Sequence, residues 1–147
     1  MEIRKARSTD AEDIAVHNIA LARESENKTI SPDTARRGVQ AILDDPAKGF
    51  YLVAVDEQCI IGELMVTYEW SDWRARSIWW LQSVYVTPSQ RQQGIFTRLL
   101  KRLREMAHEQ DICELRLYVH HDNEAACQTY HRLGFTRLPY HIYGIDV

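Results

Sequence analysis

What this chain lacks narrows it first. No stretch approaches the roughly 20 consecutive apolar residues that a membrane-spanning helix requires, and the opening segment MEIRKARSTD has no apolar centre of the kind a secretory signal carries. The cytoplasm is therefore the expected location. Cysteine is scarce: Cys59, Cys113 and Cys127 are odd in number and form no CxxC pair, and their apolar or small neighbours lead us to expect buried free thiols. No low-complexity tract, internal repeat or linker interrupts the sequence. The nucleotide signatures GxxxxGK[ST] and GxGxxG are both missing, which disfavours a P-loop or a dinucleotide fold. A strong excess of one charge is missing too. The net charge of -3 argues against nucleic acid as partner, whereas the Lys and Arg that gather between Arg91 and Arg104 suit a small phosphorylated ligand.

What is present reads as one α/β domain spanning residues 1–147, with 45% hydrophobic and 27% charged residues. Residues 2–6 predict a short strand. Thr9-x-x-Glu12 has the form of a capping box, and Ile14, Asn18 and Leu21 continue at helical spacing to about Glu24. Ser31-Pro32 opens a second helix, striped by Val39, Ile42 and Leu43 and stopped by Asp45-Pro46. Phe50 to Val55 and Cys59 to Tyr68 predict a hairpin, Glu69 to Arg76 a polar and aromatic loop, and Ile78 to Val86 a central strand. A long helix follows from about Gln93 to Glu109, with Phe96, Leu99, Leu100, Leu103 and Met106 on one face. Alternation from Cys113 to Val119 marks another strand. Asp122 or Asn123 caps a short helix ending at Gly134, and Phe135 to Val147 predicts one or two terminal strands. The expected order is β-α-α-β-β-β-α-β-α-β(-β), a mixed sheet flanked by helices.

Two stretches carry chemistry. In Val84-Tyr-Val-Thr-Pro-Ser-Gln-Arg-Gln-Gln-Gly94 a strand ends, a turn follows and a helix opens at a glycine. Free N–H groups and a partial positive charge at a helix start attract an anion, Gly94 allows close backbone approach, and Arg91 and Arg98 add positive charge. Alone, such a turn serves equally well as an ordinary strand-to-helix connection. Downstream lies Asn123-Glu-Ala-Ala-Cys-Gln-Thr-Tyr130-His-Arg-Leu-Gly134-Phe135. Asn123 and Tyr130 stand two helical turns apart and so point to one side.

Together these stretches resemble motifs A and B of the GNAT superfamily of N-acetyltransferases. Val-Tyr-Val-Thr-Pro with Arg91-x-x-Gly94 is similar to motif A, and Asn-x-x-Ala-x-x-x-Tyr-x-x-x-Gly-Phe is matched at every position of motif B. Phe96 departs from the small residue usual at the end of motif A. The resemblance implies acetyl-CoA as co-substrate, with Arg91, Gln92, Gln93, Gly94, Ile95, Phe96 and Thr97 around its pyrophosphate. Val84 and Val86 then lie along the pantetheine arm, between strands that splay apart, and Asn123 joins them in holding the co-substrate. It implies acetyl transfer to a primary amine of a small molecule or peptide. The backbone N–H of Val84 is the oxyanion contact, and Tyr130 protonates the leaving thiolate.

No general base is singled out. The position where the family often carries a glutamate is Trp80 here, and Glu63, Glu69, Asp72 and His120 are the polar groups considered. Trp70, Asp72, Trp73 and Trp80 are expected to contribute an aromatic, acidic pocket for a cationic amine. No metal is expected: Cys127 and His131 share an i, i+4 face, but His120 and His121 fit no standard zinc spacing with them. The competing reading is a non-catalytic acyl-CoA sensor or interaction domain. A homodimer is compatible with the resemblance.

Overall fold

The computed structural model describes residues 1–147. Its elements run β1 (Glu2–Lys5), α1 (Ala11–Glu26), α2 (Pro32–Asp44), β2 (Phe50–Asp56), β3 (Cys59–Ser71), β4 (Arg76–Val86), α3 (Ile95–Glu109), β5 (Glu114–Leu117) and α4 (Glu124–Arg132). The strands lie in chain order in one sheet; β1 to β4 pair antiparallel, and β5 is parallel to β4. A parallel neighbour needs a crossover, and α3 supplies it.

Each face of the sheet carries a core. Successive side chains of β2 point to opposite faces: Leu52 and Ala54 pack with Leu64, Leu81, Leu99 and Leu103 under α3, whereas Tyr51 and Val53 pack with Ile14 and Val39 under α1 and α2. This two-sided cover explains why Phe50 to Ala54 is apolar throughout instead of alternating. On α3 the stripe Leu99, Leu100, Leu103, Met106, Ala107 recurs at helical spacing and is buried along its length. Ser31 caps α2 as expected, its Oγ accepting from the Thr34 N–H at 3.2 Å.

Four expectations are corrected. The first helix is not closed by a Thr9–Glu12 box: residues 8–10 form a 3-10 turn, and the Asp10 carboxylate accepts the Arg7 N–H at 2.6 Å while pairing with Arg4 at 2.7 Å. A charged acceptor fixed by an arginine replaces the neutral hydroxyl. The polar segment after Tyr68 is mostly strand, because Glu69↔Ile78 and Trp70↔Ser77 extend the hairpin and leave only residues 72–75 to turn. None of the three cysteines is the buried thiol expected: Cys59 is exposed at the start of β3, and Cys113 and Cys127 are half-buried. Residues 135–147 form no strand: the Phe135 N–H donates to Tyr130, and no backbone hydrogen bond joins residues 136–147 to any other part of the chain. A strand needs a paired neighbour, and β5 is bonded to β4 alone.

Candidate active site

The site begins where two strands part. β4 and β5 pair from Ile78↔Glu114 to Leu81↔Leu117 and no further, while β4 runs on to Val86 beside β3. The register with β3 skips from Met65↔Gln82 to Glu63↔Tyr85, and Ser83 takes a left-handed φ of 48°. That bulge bends β4 away from β5. The resulting cleft has a volume of about 990 Å³. One wall is Leu81 to Val84. The other is Leu117 to His120 with Asn123, Ala126 and Tyr130, and α1 and α2 close the far end through Asn18, Glu26 and Thr34. A smaller cavity of about 330 Å³ lies elsewhere, between α3 and Phe135.

At the end of β4 the chain makes its anion-type turn. Gln92 and Gly94 both adopt left-handed φ, 62° and 75°. This aims the chain so that α3 starts with the N–H groups of Ile95, Phe96 and Thr97 free of backbone acceptors; the first helical bond is Arg98 N–H to Gly94 O at 3.1 Å. No acidic side chain occupies that first turn. Such an end favours negative charge. A Cβ on Gly62 would stand 2.8 Å from an Ile95 methyl, so glycine there lets the start of α3 rest on β3. Arg91 is held from two sides, its Nε donating to Val86 O at 2.9 Å and its terminal nitrogen meeting Glu24 at 2.6 Å. The Gln93 side chain donates to Ser89 O at 3.1 Å, bracing the turn internally.

Tyr130 reaches the cleft from α4. Its ring stands edge-on to Phe96 at 5.7 Å and to Phe135 at 5.8 Å. The bulky residue that departs from motif A therefore props the tyrosine, linking the start of α3 to the opposite wall. Burial raises the Tyr130 phenol above its ordinary value, keeping it protonated at neutral pH. Asn123 caps α4 with its Oδ1, which accepts from the Ala126 N–H at 3.2 Å, and it also lines the cleft.

With this geometry in place, comparison with known proteins is decisive. The model of the acetyltransferase (GNAT) family matches residues 14–135. The chain belongs to the GNAT family. A solved structure described as that of "a possible acetyltransferase from Clostridium difficile 630" is 39% identical, covers 99% of this chain and 97% of its own, and superposes with a TM-score of 0.93. A "predicted acetyltransferase with acetyl-CoA from Clostridium acetobutylicum" shares the fold, with a TM-score of 0.80, 17% identity, and coverage of 98% and 95% of the two chains. Thialysine N-epsilon-acetyltransferase of Bos taurus is 34% identical over 76 residues, 52% of this chain and 44% of that protein. The match to such curated relatives thus spans less than half of their length.

The remaining sequence-selected residues of this GNAT protein are scattered over the fold. Trp80 stacks on Tyr118 at 4.5 Å with the Arg116 guanidinium 5.8 Å from its ring, directly behind the cleft wall. Trp70, Asp72 and Trp73 stand at the tip of the β3–β4 hairpin, where Trp73 is 94% exposed. About six residues of strand, on the order of 20 Å, separate that tip from Gln82, and none of the three lines the cleft. Among the groups considered as bases, Glu69 lies 3.6 Å from Arg116, and His120 lines the cleft with its Nδ1 accepting the Asp122 N–H at 3.2 Å. His120, His121 and Asp122 bring potential ligand atoms within 4.8 Å of one another, all of them exposed. Glu63 is sealed under α1. Its Oε2 meets His17 Nδ1 at 2.8 Å, its Oε1 has no partner, and burial pushes its carboxyl up to about 7. His17 went unread in the sequence; the available signal was Glu63 itself, a single charge inside the apolar strand Ile60 to Val66.

Proposed function

We propose that this protein transfers the acetyl group of acetyl-CoA to the primary amine of a small molecule or peptide, with Tyr130 protonating the departing thiolate. The observation that carries this reading is one continuous cleft with Val84 at the β4 bulge on one wall and Tyr130 on the other. It lies beside the same strand that ends in the Arg91–Gly94 turn. In this reading the free N–H groups of Ile95 to Thr97, with Arg91, Gln92, Gln93 and Gly94, hold the pyrophosphate. Val84 and Val86 lie along the pantetheine, Asn123 borders it, and Phe96 acts through Tyr130. The amine nitrogen attacks the thioester carbonyl, the C–N bond forms and the C–S bond breaks. The Val84 N–H stabilises charge on the carbonyl oxygen. The thiolate takes the Tyr130 proton, the neutral amine gives up one of its own to solvent water, and the tyrosinate is reprotonated from solvent, which closes the proton balance.

We place the acceptor at the α1–α2 end of the cleft, where Asn18, Glu26 and Thr34 offer polar groups, rather than at the hairpin tip. The resemblance to the thialysine N-epsilon-acetyltransferase supports a lysine-like side-chain amine as the first acceptor to try. A thiol-release assay with acetyl-CoA over an amine panel that includes thialysine tests the proposal. Tyr130→Phe is expected to lower kcat by roughly 10²-fold or more with little change in acetyl-CoA affinity. Acetyl-CoA binding without turnover on any amine would replace this reading with that of a sensor.

A further inference from the structure

The α1–α2 end of the cleft is a groove between two helices, and its chemistry narrows the acceptor. Leu21, Ala22 and Ser25 line it from α1, and Thr34, Gly38 and Ile42 from α2, each set at helical spacing on one face. Ile30, between the helices, and Met65 of β3 extend an apolar lining that is only half-buried. Gly38 is the telling position. It sits inside α2, where glycine weakens a helix relative to alanine, and no atom lies within 4 Å of where its Cβ would stand. No close packing requires the glycine; the missing side chain leaves room in the groove. Charge is as scarce as bulk. Glu26 is the sole carboxylate lining the whole cleft, with Lys28 3.7 Å away, and no Lys or Arg lines it. The polar side chains are partly engaged with neighbours: Asn18 Nδ2 donates to the Tyr51 hydroxyl at 3.1 Å, Ser25 Oγ to Leu21 O at 2.7 Å, and Ser31 Oγ to Thr34 Oγ1 at 2.9 Å.

We propose that the acceptor is a monoamine carried on an uncharged apolar body, aliphatic or aryl, which lies between α1 and α2 over Gly38 with its amine toward Val84. This rests on the acetyl-transfer reading and names the substrate class for it. A body of this kind takes the half-buried apolar lining out of water. Glu26 at the rim meets the single ammonium group on its approach. A polyamine would bring further ammonium groups with no carboxylate to pair, and a free amino acid would bring a carboxylate with no cation to pair. An unpaired charge in such a groove is costly. Of a lysine-like acceptor, this end suits the methylene stem and not the charged α-groups.

Initial rates at saturating acetyl-CoA, with calorimetry of hexylamine on the full chain saturated with coenzyme A, test this. The kcat/KM of hexylamine and phenylethylamine is expected to exceed that of spermidine and of thialysine by about tenfold or more. Gly38→Leu, which fills the groove, is expected to raise the KM for hexylamine by about tenfold or more and to leave the KM for acetyl-CoA unchanged. Should that variant be insoluble, Gly38→Ala, which favours the helix, is read the same way with a smaller rise. A preference for spermidine or thialysine overturns the substrate class and leaves acetyl transfer standing. The substrate class is also overturned by an acceptor KM that neither substitution moves, or by faster transfer from octanoyl-CoA than from acetyl-CoA, which would make the groove an acyl-chain site. If no amine turns over, the transfer reading alone fails when hexylamine binds and Gly38→Leu weakens that binding. Absence of binding overturns the proposal as well.

Discussion

Glu63 shows what one buried residue does to the behaviour of the whole. Its carboxyl is 0% exposed, and desolvation outweighs the help from His17, so its pKa stands at about 7 against an ordinary 4.5. Between those two values the folded state holds a proton that the unfolded chain has released. Stability therefore falls as pH rises from about 4.5 to about 7, and the loss is complete above that window. At 1.36 kcal/mol per unit the effect is on the order of 3 kcal/mol. Glu63→Gln keeps the shape and a partner for His17 but cannot ionise. Denaturant melts of wild type and variant should coincide near pH 4.5 and separate by up to about 3 kcal/mol at pH 8, with the variant the more stable. Parallel pH profiles for the two proteins would show that the carboxyl is not held neutral by folding.

At the scale of elements, the strand–turn–helix unit of β4 and α3 carries the proposed phosphate-binding turn. Gly94 sits at φ 75° with open space where a Cβ would stand, so the cost of a side chain there is conformational. Gly94→Ala is expected to destabilise by about 1 kcal/mol, the left-handed penalty. It should weaken coenzyme A binding by roughly tenfold or more, because the methyl occupies the approach to the free N–H groups. Calorimetry returning an unchanged Kd would remove the turn from the binding site. This unit was legible in the sequence because everything it needs is local: a β-branched strand, Pro88, and a glycine before an apolar stripe. The α4 unit from Asn123 to Gly134 was legible for the same reason. The bulge at Ser83 was not, since it is a mismatch between β3 and β4 and neither strand shows it alone. His17 and Glu63 lie 46 residues apart, and only the packing of α1 on β3 brings them together. At the hairpin tip composition and position point different ways: Trp70, Asp72 and Trp73 have the composition of a pocket, but the length of β3 and β4 carries them away from the cleft.

At the scale of the molecule, the cleft is assembled from two halves of unequal strength. β4 is central, paired on both sides and backed by both cores, whereas the opposite wall is the four-residue β5, a loop, and α4, which has no buried residue. A ligand that bridges the halves should stabilise the protein chiefly by ordering the weaker one. Acetyl-CoA at 100 times its Kd contributes about 2.7 kcal/mol by mass action, which for a chain of this length corresponds to a rise in Tm of about 5–10 °C. Hydrogen exchange on the complex should then show slowed amides at Val84 and residues 95–97, and, more tellingly, across Leu117 to Tyr130. Slowing confined to the start of α3 would mean that the phosphates bind but the pantetheine does not enter between β4 and β5, leaving Tyr130 outside the reaction.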